Sequence, residues 1–143
     1  MTEPRTPSVE EVEAAASAIV DAFAATDGAR YFATFAPDAT FVFHTEPARL
    51  DDRAAYERLW DEWVASGWRV VSCESTKRHV QPLPGGAVFT HSVATTVETG
   101  DGRESYRERE TIVFRTDATG DLIAVHEHLS PDPADAASAD DDA

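Results

Sequence analysis

Residues 87–115 read AVFTHSVATTVETGDGRESYRERETIVFR. On both sides of Asp101-Gly102, β-branched and aromatic residues alternate with smaller or polar ones, and a period of two is typical of β-strands. Asp-Gly between two such segments predicts a tight hairpin turn. The stretch therefore predicts two long antiparallel strands, at 87–97 and 103–115.

Three further strands are predicted outside this hairpin. Residues 68–80 alternate in the same way and end at the proline- and glycine-rich turn 82–86. Residues 122–129, LIAVHEHL, follow a turn at Gly120-Asp121, and a short strand, TFVFH, is predicted at 40–44. The long strands follow one another with tight turns, which predicts an antiparallel meander.

Three helices are predicted in the first half of the chain. The first begins at Ser8, whose spacing from Glu11 is that of a capping box, and is expected to end at Asp27-Gly28. The second is predicted at 29–35 and the third from 51 or 52 to 67. Helices followed by strands indicate the α+β class. The simplest packing wraps a strongly curved sheet around the helices, because their apolar faces need one cover.

Composition limits the classes of partner. The chain has 143 residues, 27 acidic and 12 basic, for a formal net charge of −15. This charge repels phosphates and anionic lipids, so we expect no nucleic-acid partner and no membrane partner. No apolar run approaches the ~20 residues of a membrane helix, and the N-terminus lacks a signal-peptide pattern. We expect a cytoplasmic protein of one domain, 8–130, between disordered tails at 1–7 and 131–143.

Three local motifs carry a family resemblance. Residues 35–41, FAPDATF, contain F-x-x-D-A; a helix with Trp60 and Trp63 leads directly into a long strand; and residues 125–130 read VHEHLS. In this order they resemble the nuclear transport factor 2-like superfamily, which includes SnoaL-like and ketosteroid isomerase-like domains. The resemblance implies a cone-shaped α+β domain with an apolar pocket between sheet and helices. It also implies a homodimer that pairs through the outer face of the sheet.

Because this superfamily has many activities, its fold does not settle function. Its members include isomerases, polyketide cyclases and dehydratases, and domains without any reaction. The resemblance implies a small-molecule ligand, and our leading hypothesis is cofactor-independent acid–base catalysis on a carbonyl or polyketide-like substrate. The alternatives are a non-catalytic ligand-binding or assembly domain, and a metal-dependent enzyme that uses His126 and His128. Expected pocket walls and ligand contacts are the aromatic residues Tyr31, Phe35, Trp60 and Trp63.

Two histidines are candidate bases in the pocket. His44 ends the first predicted strand, and His91 shares an apolar strand face with Phe89 and Val93. An imidazole in such surroundings is either a tuned base or a hydrogen-bonded core residue. Both interpretations stay open at this point.

Arg109 and Thr111 share one face of their predicted strand and resemble the R-x-T of the pocket strand in SnoaL-like proteins. An arginine there would hold a substrate carboxylate or enolate by two contacts, with Thr111 beside it. Glu108 and Glu110 then lie on the opposite face. The competing interpretation is a solvated ladder of ion pairs, and the sequence leaves open which face is concave.

His126 and His128 lie on one face of the last predicted strand, while Glu127 projects to the other and is a candidate ligand contact. The two histidines are candidate catalytic residues. They would also form half of a metal site if His44 or His91 supplied a third ligand. The alternative is hydrogen bonding within the sheet or at a subunit interface. We expect no metal and no cofactor.

Overall fold

Residues 4–133, which the computed structural model describes, form three helices and five strands. Their order is α1 (Val9–Ala24), α2 (Gly28–Ala33), β1 (Phe35–Phe43), α3 (Arg53–Ala65), β2 (Arg69–Leu83), β3 (Gly86–Thr99), β4 (Gly102–Thr116) and β5 (Leu122–Pro131). The α+β class and all eight predicted elements are confirmed, with ends shifted by a few residues.

The five strands form one curved, unclosed sheet in the order β1-β5-β4-β3-β2. The predicted meander holds from β2 to β5, where each strand pairs antiparallel with the next. The expectation of a wholly antiparallel sheet is wrong at one edge, since β1 pairs with β5 in parallel. After β1 the chain passes through α3 to β2, at the opposite edge of the sheet. Two parallel strands cannot be joined by a tight turn, so they need a long connection of this kind.

The helix ends follow from local chemistry. Both halves of the Ser8–Glu11 capping box are formed, and Asp52 caps α3 by accepting the amide of Ala55. The expected stop of the first helix at Gly28 is wrong, because α1 ends at Ala24 and Gly28 is the first residue of α2. A Cβ on Gly28 would meet the indole nitrogen of Trp60 at 3.0 Å, so this glycine permits close helix packing.

The two segments predicted as tails contact the fold where the structure describes them. The carbonyl of Arg5 accepts the amide of Gly85, its guanidinium donates to the carbonyl of Gly120 at 2.6 Å, and Pro7 is fully buried. At the other end, Pro131 closes β5 and Asp132 is buried. The rest of the predicted acidic tail, 134–143, lies outside the described residues, and the domain boundaries stay predictions.

The two faces of β4 have opposite environments. Glu108, Glu110 and Ile112 alternate on the inner face and are 9% exposed or less, while Arg109 is exposed on the outer face. Helix α1 packs across β2 on the inner side. No helix within residues 4–133 combines the length and the apolar character that crossing a membrane requires.

Candidate functional site

A cavity of about 450 Å³ lies between the inner face of the sheet and the helices. Most of its wall is apolar, from aliphatic residues of α1 and β3 and from aromatic rings of α1, α2, α3 and the sheet. The aromatic contributors include Phe23, Tyr31, Tyr56, Trp63, Trp68 and Tyr106. A cavity of this size matches the usual range for small-molecule sites, about 300–1,000 Å³.

Three buried carboxyl groups interrupt this apolar wall. Glu108 and Glu110 project from β4 and Glu127 from β5, and all three line the cavity. Glu127 is only 1% exposed. A carboxylate removed from water is unfavourable unless it is paired or protonated, so three on one wall interact strongly.

Glu110 and Glu127 form a hydrogen-bonded pair across β4 and β5. Burial raises the pKa of Glu110 to about 7, and the charge of Glu108 acts in the same direction. Burial also raises the pKa of Glu127 well above its ordinary value, and the charge of Glu110 adds to the effect. Two buried carboxyls in contact cannot both ionise cheaply, so the pair keeps one proton near neutral pH.

Tyr31 connects this pair to the helices. Its hydroxyl donates to Glu127 Oε2 at 3.3 Å and lies 3.0 Å from the hydroxyl of Tyr56. Burial, reinforced by the charge of Glu127, holds the pKa of both phenols well above the ordinary value. Both therefore stay protonated and serve as hydrogen-bond donors at the floor of the cavity.

Glu110 is also held from the sheet side by His91. His91 Nε2 lies 2.6 Å from Glu110 Oε1, and its Nδ1 lies 2.6 Å from the hydroxyl oxygen of Ser75. Burial, with a smaller contribution from the charge of Arg78, lowers the pKa of His91 to about 4. The ring is therefore neutral near pH 7 and has one N–H. When Glu110 is ionised that N–H points to the carboxylate, and the serine hydroxyl donates to Nδ1.

A second pair lies at the mouth of the cavity. His44 Nε2 contacts Glu108 Oε2 at 2.5 Å, and the imidazole side chain is 33% exposed while the carboxyl side chain is 12% exposed. Burial raises the pKa of Glu108, and the hydrogen bond and charge of His44 oppose that rise. The His44–Glu108 pair therefore joins solvent to the buried carboxyls.

The site can hold and move a proton in an apolar enclosure. One carboxyl of the Glu110–Glu127 pair is an acceptor and the other a donor, and the two phenols add fixed donors nearby. An acid and a base held side by side near neutrality are the requirement for general acid–base catalysis.

The predicted site residues divide into three groups. Tyr31, Trp63, His44 and Glu127 line the cavity, and His91 lies behind Glu110. Phe35 and Trp60 are buried in the aromatic core beside Tyr31 rather than on the cavity wall. Four residues lie on the outer face of the sheet: Arg109, Thr111, His126 and His128.

The structure corrects the expected location of Arg109 and Thr111 in the pocket. Side chains alternate along a strand, and the helices cover the face that carries Glu108, so the R-x-T pair points away from the cavity. Arg109 pairs in register with Ser92 and Ser130, and it is exposed. Its role as a substrate anchor therefore lacks the geometry that the prediction assumed.

The two histidines of β5 share the outer face as predicted, with ring centres 6.4 Å apart. His126 Nδ1 lies 2.8 Å from the hydroxyl of Thr40, which fits the hydrogen-bonded alternative. His44 and His91 are on the inner side, so neither completes a metal site with them. Nowhere in residues 4–133 do three His, Cys, Asp or Glu side chains form a group that could hold a metal ion.

Sequence reasoning missed Glu108, Glu110 and Tyr56 as site residues. A usable pattern was present, because Glu108 and Glu110 stand in the same alternate register as Ile112 and Phe114, which are buried. Continuing the apolar register of the strand back through the two glutamates would have placed them inside. The sequence-based prediction instead assigns the pocket face to Arg109 and Thr111, with the two glutamates on the opposite face.

Comparisons with known proteins identify the family and the fold. The family described as SnoaL-like domain matches residues 12–134. Among the curated proteins, none matches the sequence. The nuclear transport factor 2-like superfamily inferred from sequence motifs is thereby confirmed.

Solved structures share the fold at low sequence identity. A nuclear transport factor 2-like superfamily protein from Salmonella enterica superposes with a TM-score of 0.75, at 12% identity over 85% of this chain and 89% of that chain. A ketosteroid isomerase-like protein from Erwinia carotovora superposes with a TM-score of 0.72, at 18% identity over 86% of this chain and 95% of that chain. A protein from Catenulispora acidiphila in complex with S-DNPA superposes with a TM-score of 0.73, at 17% identity over 90% of this chain and 96% of that chain.

Proposed function

The chain belongs to the SnoaL-like domain family, and we propose that its cavity binds a small molecule and catalyses proton transfer beside a carbonyl group. The observation that carries this proposal is the Glu110–Glu127 pair, which holds one proton on the wall of an otherwise apolar cavity. The complex of the Catenulispora protein with S-DNPA supports a ligand-binding use of the same fold. No cofactor enters the proposed reaction.

In the proposed reaction Glu110 is the base. Its ionised carboxylate is oriented by the N–H of neutral His91, and its pKa of about 7 suits it to accept a carbon-bound proton near neutrality. Glu127, whose pKa is raised well above its ordinary value by burial and by the charge of Glu110, keeps its proton and donates a hydrogen bond to the developing enolate oxygen. The proton returns from Glu110 to another carbon, which gives an isomerisation, or to the same carbon.

His91 is a positioning residue in this scheme. It does not line the cavity, and its contact with the reaction runs through Glu110. A neutral ring fixed between Ser75 and Glu110 holds one carboxylate oxygen in place, which leaves the other for the substrate.

A second candidate function is ligand binding without a reaction. The observation in its favour is that the carboxyls of the cavity wall are each bonded to a group of the protein: Glu108 to His44, Glu110 to His91, and Glu127 to Tyr31. Such pairing is also the resting state of many acid–base sites, so a reaction assay separates the two candidates.

The test is exchange of carbon-bound protons. The protein is incubated in D₂O with a panel of apolar ketones and 1,3-dicarbonyl compounds, and loss of the α-proton signal is followed by NMR. We expect exchange above the buffer rate for at least one compound. The variant Glu110→Gln should lower that rate on the order of 10²-fold or more, because it removes the base.

Arg109→Gln is the matched control, since it changes a charged residue on the same strand whose side chain is exposed on the outer face. It should leave the exchange rate unchanged. Exchange at the buffer rate for the whole panel, together with ligand binding, would favour the second candidate.

The homodimer and the cytoplasmic location stay predictions.

A further inference from the structure

We propose that the ligand of this cavity is a cation, a protonated amine attached to a flat aromatic body. The inference rests on the cavity being the ligand site, as in the proposed function, and it adds the charge class of the ligand. It is argued from the charges and rings of the wall.

The wall of the cavity carries an excess of acidic groups. Five carboxyl side chains line it, those of Glu46, Glu104, Glu108, Glu110 and Glu127. In the part of the chain that the structure describes, Arg107 is the one arginine or lysine on that wall, and it belongs to the outward register of β4. His44 is the further basic group, and it is already bound to Glu108.

This arrangement disfavours an anionic ligand. An anion would enter a low-dielectric space beside Glu110 and Glu127, and the one arginine on the described wall, Arg107, is exposed on the outward register. The formal net charge of −15 adds a field of the same sign around the whole protein. The enclosed carboxyls therefore select against the carboxylates and phosphates that many metabolite sites bind.

The aromatic rings supply the second half of the recognition. Tyr31, Tyr56 and Trp63 line the cavity on the helical side, and Tyr106 lines it from β4. Tyr31 itself donates to Glu127, so a ring and a carboxyl meet at one point of the wall. Ring faces attract cations, most strongly where water is excluded, and a carboxylate beside them binds an ammonium directly.

A cation also changes the protonation of the site. Glu110 and Glu127 keep a proton because two adjacent buried negative charges are unfavourable. An ammonium beside them offsets that repulsion, so the pair can ionise fully, and up to one proton leaves for solvent when the ligand binds. A neutral ligand of the same shape has no such effect.

The experiment compares three probes of matched shape by titration calorimetry at neutral pH. Tryptamine carries an ammonium, tryptophol a hydroxyl at the same place, and indole-3-acetate a carboxylate. We expect tryptamine to bind about tenfold or more tightly than tryptophol, as one charge-assisted contact implies, and indole-3-acetate to bind least. The titrations are repeated in buffers that differ in their heat of ionisation. They should detect proton release when tryptamine binds and none when either of the other two probes binds.

Two variants locate the effect. Glu127→Gln should reduce the preference for tryptamine over tryptophol, because one of the two carboxyls of the pair is gone, and it should abolish proton release. Glu62→Gln makes the same substitution on the exposed surface of α3 and should leave both results unchanged. Because the amide is close in shape to the carboxyl, tryptophol binding by the Glu127 variant confirms that its cavity is intact.

Equal affinity for tryptamine and tryptophol, tighter binding of indole-3-acetate, or no binding of any probe would overturn the inference. If one of these results is obtained and the protein still catalyses proton exchange on a ketone, the cation proposal is wrong and the proposed catalysis is unaffected. Conversely, selective tryptamine binding with proton release, but without exchange on any ketone, would remove the catalytic proposal and leave the cation site.

Discussion

Strand β4 presents two faces with nearly the same number of charged groups and very different chemistry. On the inner face, Glu108 and Glu110 are buried under the helices, and burial raises the pKa of both. On the outer face, Arg109 and Arg115 are exposed, and Arg115 lies 3.4 Å from the exposed carboxylate of Asp38. Solvent screens the outer charges, whereas the inner ones interact in a low dielectric.

This difference shows that a charged residue on a strand indicates function only when the face of the sheet on which it lies is known. An exposed ion pair contributes little to stability, about 0–1 kcal/mol. An enclosed carboxyl pair must share a proton, and a shared proton near neutrality is what acid–base chemistry uses. The two predictions below test this contrast between the faces, beginning with the larger effect.

The first compares adjacent residues of β4. Ile112 is fully buried on the inner face, while Val113 is half-buried on the outer face. Ile112→Ala should lower the free energy of unfolding by about 2–5 kcal/mol, because it opens a void in a packed core. Val113→Ala should cost less than about 1 kcal/mol. Urea denaturation of the two variants measures both. Similar costs would mean that the outer face is as enclosed as the inner one.

The second concerns the pH dependence of stability. The pKa of Glu110 is raised in the folded protein, so its contribution is full below the unfolded pKa, about 4.5, and is lost as pH rises to about 7. Glu110→Gln removes this loss. The stability of the variant relative to wild type should therefore increase by roughly 3 kcal/mol between those pH values. Urea denaturation across this range measures it.

Arg109→Gln is the control for that prediction. Because its side chain is exposed, the stability difference from wild type should stay constant over the same pH range. His91, whose pKa is lowered to about 4, contributes in the opposite sense, with its stabilisation lost as pH falls toward 4. Arg109→Gln keeps this contribution as in wild type, because the contact between His91 and Glu110 is intact in that variant. A flat difference for Glu110→Gln would mean that the carboxyl titrates as an exposed group does.

The sequence predicted the fold well because its information is local. The hairpin turn lies at Gly100 and Asp101, one residue before the predicted Asp101-Gly102, and Ser8 with Glu11 specifies the start of α1. The parallel pairing of β1 with β5 was not predictable in this way. It depends on where α3 returns the chain, and nothing within residues 35–43 encodes the partner strand.

The site was predicted less well because it depends on which face is covered. His44, Tyr31 and Glu127 were found on the cavity wall, whereas Arg109 was expected there and lies outside. Alternation divides β4 into two sets, but only the packing of the helices decides which set is buried. Proton sharing by Glu110 and Glu127 needs two strands distant in sequence, so no single motif carries it.

The central claim is that Glu110 and Glu127 share a proton near neutral pH. The most direct measurement is NMR of protein labelled with ¹³C at the glutamate carboxyl carbons, titrated from about pH 3 to about pH 9. We predict a glutamate resonance with a midpoint near 7, displaced or lost in both Glu110→Gln and Glu127→Gln. If every glutamate carboxyl instead titrates below about pH 5.5, the buried pair holds no proton at neutrality and the account is wrong.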